Sequence, residues 1–246
     1  MEKDIRIYTQ EYCIGWQDVD PEGRLKLKTM SAWMQETAWK HAGQLGYGSD
    51  FMSLHESIWV MFRLSISMYQ YPEWDESVQL ITWPRGLKGV FALRDFELRN
   101  KDNELLAAAA TEWLVIGRED RKPRKSDMLT PFVPFTLPEK RTAVDSLFMP
   151  GECEEAFLGK HKVDYTELDM NRHVNTSSYL EWTLNHIPVS LLSQKTVRNL
   201  SITFLSECTQ EDEIYFYGSL YQEPCFVKGC RSSDGKPVFQ SVFLMQ

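Results

Sequence analysis

The segment DYTELDMNRHVNTSSYLEW, residues 164–182, joins a row of polar side chains to the start of a helix. Asp169, Asn171, His173 and Asn175 occupy every second position, and in an extended segment this spacing places all four side chains on one side. A histidine close to a carboxylate and two amides can be oriented by hydrogen bonds and can titrate near neutral pH. The spacing is also typical of a surface loop with a polar N-cap, because Asp and Asn are common in both.

Either Asn175 or Thr176 can cap the following helix, which the apolar positions predict over about 176–187. The first turn of a helix leaves backbone N–H groups without intrahelical acceptors and carries a partial positive charge. These groups suit an oxyanion or a polarised carbonyl, so the loop and the helix start together form a candidate site. We predict that Asn175 is mainly a cap, at a position that also adjoins bound substrate.

A second motif, LSITFLSEC at residues 200–208, is an alternating strand that ends in Glu207 and Cys208. DMNRHVN followed by a strand ending in EC resembles the catalytic pattern of the acyl-acyl-carrier-protein (acyl-ACP) thioesterases, which terminate fatty-acid synthesis in plants and some bacteria. TWPRGLKGVFALRDFELRNKDNELLAAAATEWLVI, residues 82–116, also resembles the corresponding family segment. The resemblance covers nearly the whole chain. It implies hydrolysis of fatty acyl-ACP, which releases a free fatty acid and holo-ACP without a cofactor.

The sequence also contains an internal repeat. Two pairs of residues share a spacing of 13 and align at an offset of 149: Asp20 with Trp33, and Asp169 with Trp182. LSISM at 64–68 aligns with LSITF at 200–204 at an offset of 136. The shorter second offset predicts a shorter connection from helix to strand in the second copy.

Each copy reads as a strand, a helix and an antiparallel meander. In the first copy the helix is predicted over about 30–44, with Thr29 as its cap. This order resembles the hotdog fold and implies an α+β double hotdog, with two antiparallel sheets each wrapped around a long central helix. We predict an N-terminal hotdog over 1–118, a proline-rich linker over 119–158 and a C-terminal hotdog over 159–246. The predicted strands are 5–14, 57–70, 77–84, 89–99, 104–117, 159–166, 197–206, 213–221, 225–231 and 237–244.

The reactive residues do not recur in the two copies. Offset 149 aligns Asn171, His173 and Asn175 with Glu22, Arg24 and Lys26, and offset 136 aligns Glu207 and Cys208 with Tyr71 and Pro72. This asymmetry predicts one active site, in the second half. The family resemblance implies that the first half carries the acyl-chain pocket, for which Trp33, Met34 and Trp59 are candidate substrate-binding residues.

Thioester hydrolysis needs an activated nucleophile, a stabiliser for the oxyanion and a proton for the leaving thiolate. We assign catalytic roles to Asp169, Asn171, His173, Glu207 and Cys208. In one scheme Glu207 and His173 act on water, and Asn171 holds the water or the substrate. Asp169 orients Asn171 or polarises the site, and backbone N–H groups at the start of the second helix receive the oxyanion. In the alternative scheme Cys208 is the nucleophile, with His173 as its base and Asn171 as orienter. The sequence does not separate the two schemes. We favour the first, because a carboxylate next to the histidine is a sufficient base, and Cys208 would then be an inert buried thiol.

Composition excludes several classes of function. A net charge of −8 gives no support to nucleic-acid binding. The five cysteines are odd in number and form no CxxC pair, which predicts reduced thiols in a cytoplasmic protein. The charged N-terminus does not resemble a signal peptide, and no apolar run approaches the roughly 20 residues of a membrane span. The histidines show no metal-ligand spacing, so we predict no metal. The sequence shows no P-loop or dinucleotide fingerprint, and we predict no cofactor.

A basic cluster stands out in this acidic chain. It comprises Arg118, Arg121, Lys122, Arg124 and Lys125. A charge run of this kind is usually a solvated surface, but it would also suit docking of acidic acyl carrier protein. Arg172 and Arg198 could extend this surface or contact the pantetheine phosphate. Whether the chain forms a homodimer stays open.

Three other functions remain compatible with the sequence. The same site could act on acyl-CoA, and relative rates on the two carriers would tell these apart. Hotdog proteins also include hydratases and dehydratases, to which the Glu, Asn and His set of the second half is less suited. A non-catalytic acyl-binding protein would bind acyl groups tightly without turnover. Because the reactive residues occur in the second half and not in the first, the sequence favours the thioesterase.

Overall fold

The structure is a computed structural model and describes residues 4–124, 126–151 and 154–246. Contacts between Cα atoms divide the chain into two units. Unit 1 comprises Met1–Leu64 and Met68–Val144, and unit 2 comprises Ser65–Ser67 and Asp145–Gln246. Lys125 of the basic cluster and Cys153 lie outside the described residues.

The first unit is an antiparallel sheet with a long helix packed against it. Its helices are α1 (Leu27–Gln44) and α2 (Ser49–Leu54), and its strands are β1 (Tyr8–Cys13), β2 (Ser57–Met68), β3 (Ser77–Lys88), β4 (Phe91–Asn100) and β5 (Leu105–Gly117). The strand order is β1-β3-β4-β5-β2. Helix α1 contacts β1 and β3, and it buries one face that includes Met30, Met34 and Ala38. The residues of this face recur every fourth position, a spacing typical of a helix that buries one side.

The second unit repeats this arrangement. Its helices are α3 (Thr176–Asn185) and α4 (Val189–Leu192), and its strands are β6 (Ala156–Lys162), β7 (Val197–Phe204), β8 (Glu213–Ser219), β9 (Cys225–Arg231) and β10 (Pro237–Met245). The strand order is β7-β10-β9-β8-β6. The rings of Tyr179 and Trp182 on α3 meet Phe216 of β8 and Phe239 of β10. The predicted α+β double hotdog is thus confirmed, with a second helix two residues shorter than predicted.

The internal repeat extends to individual hydrogen bonds. An isolated bridge pairs Val19 with Leu25 in unit 1, and another pairs Leu168 with Val174 in unit 2, at the predicted offset of 149. The N–H of Leu25 donates to the carbonyl of Pro72, and the N–H of Val174 donates to the carbonyl of Cys208, each at 2.9 Å. This hydrogen bond therefore joins a residue that repeats at offset 149 to a residue that repeats at offset 136. The backbone conformation around the candidate site occurs in both units, so it does not depend on the reactive side chains.

The start of α1 differs from the prediction. Lys26 is the N-cap, and its side chain makes no capping bond, whereas Thr29 lies inside the first turn. The N–H of Lys26 donates to the carbonyl of Asp18. Lys26 itself has an extended backbone conformation, and the helix begins at the next residue, Leu27. A tertiary hydrogen bond therefore sets the helix start, in place of the side-chain cap that Thr29 would provide.

Part of the predicted linker packs into unit 1. Residues Ser126–Phe135 form a 3-10 helix, in which Leu129 and Phe132 are buried in a cluster with Tyr47 and Met52. Two apolar residues three positions apart on a 3-10 helix share a face, which explains why both reach the core. Val144 and Asp145 mark the change from unit 1 to unit 2. The domain boundaries at 118 and 158 stay a prediction.

Candidate active site

Asp169 organises the loop of the candidate site. One of its carboxylate oxygens accepts hydrogen bonds from the backbone N–H groups of Asn171, at 2.8 Å, and His173, at 3.2 Å. Its other oxygen accepts from the Asn171 side-chain amide at 3.3 Å. The N–H of Asp169 donates to the carbonyl of His173 at 2.8 Å. Asp20 accepts the equivalent backbone bonds from Glu22 and Arg24 in unit 1, so this aspartate belongs to the repeated scaffold.

The loop brings His173 close to Glu207. The bond from Val174 to the Cys208 carbonyl ties the loop to the segment that follows β7. As a result, His173 Nε2 lies 3.8 Å from Glu207 Oε2, and the two side chains are 28% and 37% exposed. This separation is within ion-pair range but longer than a direct hydrogen bond. Both groups are open to solvent, so a water molecule can reach the imidazole and the carboxylate together.

Cys208 faces away from solvent. Its side chain is completely buried, and burial raises the pKa of its thiol to about 11, although a hydrogen bond from Tyr179 lowers the pKa in part. A thiol with this pKa is protonated near neutral pH, whereas the reactive form of cysteine is the thiolate. The environment of Cys208 is therefore that of a structural thiol.

Asn175 caps α3, as the sequence predicts. Its side-chain oxygen accepts from the backbone N–H of Ser177 at 3.0 Å and from the Ser177 hydroxyl at 2.9 Å. Its carbonyl accepts from the N–H of Ser178 at 2.9 Å. These bonds occupy two of the N–H groups in the first turn. Thr176, the first residue of the helix, carries the N–H group nearest the loop.

Arg172 is exposed and sits in a left-handed backbone conformation, with φ of 63°. The equivalent residue of unit 1 is Gly23, with φ of 79°. Arginine rarely adopts this conformation, whereas glycine does so without steric cost. The tight turn of the repeat thus holds an arginine side chain at the tip of the loop, beside the completely exposed Met170.

Arg231 was not predicted from the sequence, although it holds Glu207 in place. Its guanidinium donates to the Glu207 carbonyl at 2.6 Å and to the Ser206 hydroxyl at 3.1 Å. It also pairs with the Asp212 carboxylate at 3.2 Å. Arg231 follows Glu207 by 24 residues. The sequence pattern around Arg231 does not indicate this contact, because the contact forms only when the strands pair in the sheet.

A second unpredicted group surrounds Glu167. Its carboxylate accepts from Trp182 Nε1 at 2.6 Å, from the Asp164 N–H at 2.8 Å and from His161 at 2.9 Å. The repeat offered a signal, because Asp18 is the equivalent acid in unit 1. His161, Asp164 and Glu167 could geometrically hold a metal ion. Since Glu167 is already engaged by three donors, we assign this group a structural role.

Replacing Glu167 by alanine is expected to lower the free energy of unfolding by about 2–3 kcal/mol, because buried Trp182 loses its acceptor. Burial by itself raises the pKa of Glu167, but the hydrogen bonds from His161 and its neighbours outweigh burial and lower it. The stability from Glu167 is therefore present above the unfolded-state pKa and is lost as pH falls through the folded-state pKa. Urea unfolding at several pH values should show the difference shrinking in acid. A constant difference would contradict the ionic role, and Glu211→Ala, an exposed acid, is the control.

Unit 1 contains a mainly apolar pocket that is open to solvent, and its empty space of about 520 Å³ includes part of that solvent. Trp59 lines it, together with Trp39, Trp113 and Phe132. The other two predicted pocket residues are placed elsewhere. Met34 is fully buried in the core, and Trp33 stacks on Tyr12 with ring centroids 4.4 Å apart. The roles of all three in substrate binding stay predictions.

None of the helices in the described part of the chain combines the length and the apolar character that crossing a membrane requires.

Comparison with known proteins places the chain in a family. The model of the acyl-ACP thioesterase N-terminal domain matches residues 6–129, and the model of the C-terminal domain matches residues 152–229. The chain belongs to the acyl-ACP thioesterase family. The first matched domain covers the first copy of the repeat, and the second matched domain lies within the second copy and its preceding segment.

Curated relatives of this family are distant in sequence. Oleoyl-acyl carrier protein thioesterase 2, chloroplastic, of Arabidopsis thaliana is 24% identical over 226 residues, which cover 83% of this chain and 60% of the relative. A palmitoyl-acyl carrier protein thioesterase, chloroplastic, of Gossypium hirsutum is 25% identical over 222 residues, which cover 85% of this chain and 54% of the relative. The chain thus spans less than two thirds of the length of these curated relatives.

Solved structures of acyl-ACP thioesterases share the fold along the whole chain. An acyl-ACP thioesterase from Bacteroides thetaiotaomicron superposes with a TM-score of 0.88, at 22% identity and full coverage of both chains. The 12:0-ACP thioesterase from Umbellularia californica superposes with a TM-score of 0.83, at 18% identity and with 98% and 97% coverage. At these sequence identities the superpositions are evidence for the fold alone, and they confirm that this chain has the double hotdog fold.

Proposed function

We propose that the chain hydrolyses the thioester of fatty acyl-ACP and releases a free fatty acid and holo-ACP. The observation that carries this proposal is the approach of His173 Nε2 to within 3.8 Å of Glu207 Oε2. A solvent-accessible imidazole and carboxylate at this separation can both hydrogen-bond one water molecule beside them, and the carboxylate can take its proton. Membership of the acyl-ACP thioesterase family supports the substrate class.

In the proposed reaction, Glu207 accepts a proton from the bound water while the water oxygen attacks the thioester carbonyl carbon. The tetrahedral intermediate then collapses, the carbon–sulfur bond breaks, and the leaving sulfur receives a proton from His173, which enters the proposed cycle as an imidazolium and leaves this step neutral. Proton exchange between His173 and Glu207 restores both groups. Asn171 is assigned to hold the water or the substrate, and Asp169, through its bonds to Asn171 and His173, is a positioning residue.

The start of α3 supplies the oxyanion stabiliser in this scheme. The N-cap bonds of Asn175 occupy the N–H groups of Ser177 and Ser178, so we assign the N–H of Thr176 to the oxyanion. The positive end of the helix dipole favours the same charge. The scheme therefore uses a backbone donor at a position that the side-chain cap keeps rigid.

Cys208→Ala is expected to retain turnover within about tenfold of the wild type, because water and not the thiol is the proposed nucleophile. The measurement is kcat for thiol release from acyl-ACP. A loss of about 10³-fold or more would support the alternative scheme, in which Cys208 attacks the thioester. Cys225→Ala is the matched control, since Cys225 is also a buried thiol and lies on β9.

The basic cluster is proposed as the docking surface for acyl carrier protein. Arg118 and Lys122 are exposed, whereas Arg124 is paired with Asp120 at 3.0 Å. The double variant Arg118→Glu/Lys122→Glu is expected to raise KM for acyl-ACP about tenfold, since it replaces attraction of an acidic carrier by repulsion. KM for acyl-CoA, which carries no protein, should change little. An equal rise for both substrates, or no rise for acyl-ACP, would contradict this docking surface.

The proposed function is tested by release of free thiol from acyl carrier protein charged with saturated chains of several lengths. Turnover with an optimum length, faster than on the matching acyl-CoA series, is the expected result. Faster turnover on acyl-CoA would assign the same site to the other carrier. No release from any chain by folded protein would contradict the enzyme and favour an acyl-binding role.

A cytoplasmic location is also part of the proposal. The four cysteines among the described residues, Cys13, Cys208, Cys225 and Cys230, are free thiols. Free thiols are usual in a reducing compartment. Thiol labelling of protein extracted from its source under alkylating conditions would test this location.

A further inference from the structure

Arg231 is the centre of a set of polar contacts around the segment that carries Glu207. Its Nη2 donates to the Glu207 carbonyl at 2.6 Å and to the Ser206 hydroxyl at 3.1 Å. In addition, Nε lies 3.2 Å from Asp212 Oδ1, and Nη1 lies 3.5 Å from Asp234 Oδ2. The Arg231 side chain is only 19% exposed, so water screens these contacts poorly. The planar guanidinium therefore joins the backbone of Glu207 to two carboxylates.

A second anchor holds the next residue of this segment. The N–H of Val174 donates to the carbonyl of Cys208 at 2.9 Å, and this bond ties the segment to the loop that carries His173. Arg231 thus holds the carbonyl of Glu207, and the loop holds the neighbouring carbonyl. The place of the Glu207 carboxylate beside His173 follows from where these two bonds hold the backbone.

The strand registers show which residue of unit 1 corresponds to Arg231. Arg231 of β9 pairs with Ile214 of β8, and Asn100 of β4 pairs with Val78 of β3. Ile214 and Val78 differ by the offset of 136, so Asn100 is the equivalent of Arg231. The Asn100 side chain accepts from two backbone N–H groups of the turn that follows it. Asn100 therefore serves its own hairpin, whereas Arg231 serves the segment of the proposed base.

The turn after β7 forms in both units, with an arginine beside it in one. In unit 2 the N–H of Thr209 donates to the Asp212 carboxylate at 2.8 Å. In unit 1 the N–H of Glu73 donates to the Glu76 carboxylate at 3.3 Å, at the same offset of 136. Both units thus close this turn with an acid, but the arginine occurs in the unit that holds the reactive residues. A contact that accompanies the reactive residues, and not the repeated backbone, indicates a role in the reaction.

We propose that Arg231 is a positioning residue for the hydrolysis, which sets kcat by holding the Glu207 carboxylate 3.8 Å from His173. This inference rests on the proposed function. A displacement of a reacting group by about 1 Å can lower a rate about 10²-fold. Because Arg231 acts through another residue, its loss should lower kcat and leave KM nearly unchanged. Lysine keeps the charge but lacks the planar fork that bonds several groups together.

Arg231→Lys is expected to lower kcat for thiol release from acyl-ACP about 10- to 100-fold, with KM within about twofold. Arg99→Lys is the matched control. Arg99 also donates to a backbone carbonyl, that of Asn103 at 2.7 Å, and pairs with Glu97 at 2.9 Å. The control should keep kcat within about twofold. Wild-type kcat in folded Arg231→Lys would overturn the proposal.

A double-mutant cycle separates positioning from general stability. If Arg231 acts through Glu207, Arg231→Lys should have little further effect on kcat in a Glu207→Gln background, whereas effects that multiply would overturn the proposal. In a Cys208→Ala background the full loss should remain, and its disappearance would assign Arg231 to the thiol instead. If Arg231→Lys fails to fold, Asp212→Asn takes its place, because it removes one carboxylate partner of the guanidinium. An unchanged kcat in folded Asp212→Asn would then overturn the proposal.

The ring signal of His173 in NMR spectra provides a measurement that needs no turnover. The Glu207 carboxylate lies 3.8 Å from the imidazole, so Glu207→Gln should change the His173 Cε1–H chemical shift, with His173→Ala identifying the signal. In an Arg231→Lys background this change should be smaller, because the carboxylate is no longer held at that distance. An equal change in both backgrounds would overturn the proposal. If wild-type protein releases no thiol but the NMR result is as expected, the proposed hydrolysis is wrong and the positioning of Glu207 by Arg231 stands.

Discussion

His173→Ala is expected to lower kcat for thioester hydrolysis by about two to four orders of magnitude, the usual effect of removing a general acid or base. The imidazole is the proposed proton donor to the leaving sulfur. The backbone bonds of residue 173 to Asp169 do not need the side chain. The loop should therefore keep its conformation, and KM should change little.

His55→Ala is the matched control for this variant. His55 is exposed and lies in unit 1, so its removal should leave kcat within about twofold, as expected for a surface substitution. Circular dichroism and urea unfolding establish that both variants are folded. Retention of more than about a tenth of wild-type turnover by folded His173→Ala would exclude the proposed role.

Glu207→Gln is expected to lower kcat by about 10²–10⁴-fold, because an amide of the same shape cannot accept the proton of water. The substitution keeps the backbone carbonyl that Arg231 holds at 2.6 Å. The fold and KM should therefore be retained, and the loss should appear in kcat alone. Steady-state kinetics of thiol release on acyl-ACP measure both parameters.

Glu211→Gln, an exposed acid in the turn before β8, is the control for the charge change. It should leave kcat unchanged within about twofold. If Glu207→Gln keeps wild-type kcat while Cys208→Ala loses it, the thiol is the nucleophile and the proposed water mechanism is wrong. If both variants keep kcat, the reaction lies elsewhere in the chain.

The repeat is the part of the fold that the sequence predicts most directly. Asp20 and Asp169 occur at an offset of 149, and in the structure they organise equivalent turns. The extent of α1 was predicted less well, because the bond from Lys26 to Asp18 sets its start. Local patterns predict elements, whereas a hydrogen bond to a residue outside the element can move its ends.

The sequence by itself predicted two copies of a strand, a helix and a meander, which resemble the hotdog fold, together with the loop of His173 and the cap at Asn175. Each of these depends on residues close together in the chain, through strand alternation, helical spacing or a side chain that bonds its own backbone. The candidate residues of the second half could be named from these patterns and from the family they resemble. Their positions relative to one another could not.

Only the tertiary structure decided which of these residues meet. His173 and Glu207 are 34 residues apart, and their approach depends on the bond from Val174 to Cys208 and on Arg231 of β9. The burial of Cys208, which raises the pKa of its thiol, and the apolar lining of the unit 1 pocket are likewise properties of packing. Reactivity depends on distance and solvation, and both arise only when the strands of each sheet are assembled.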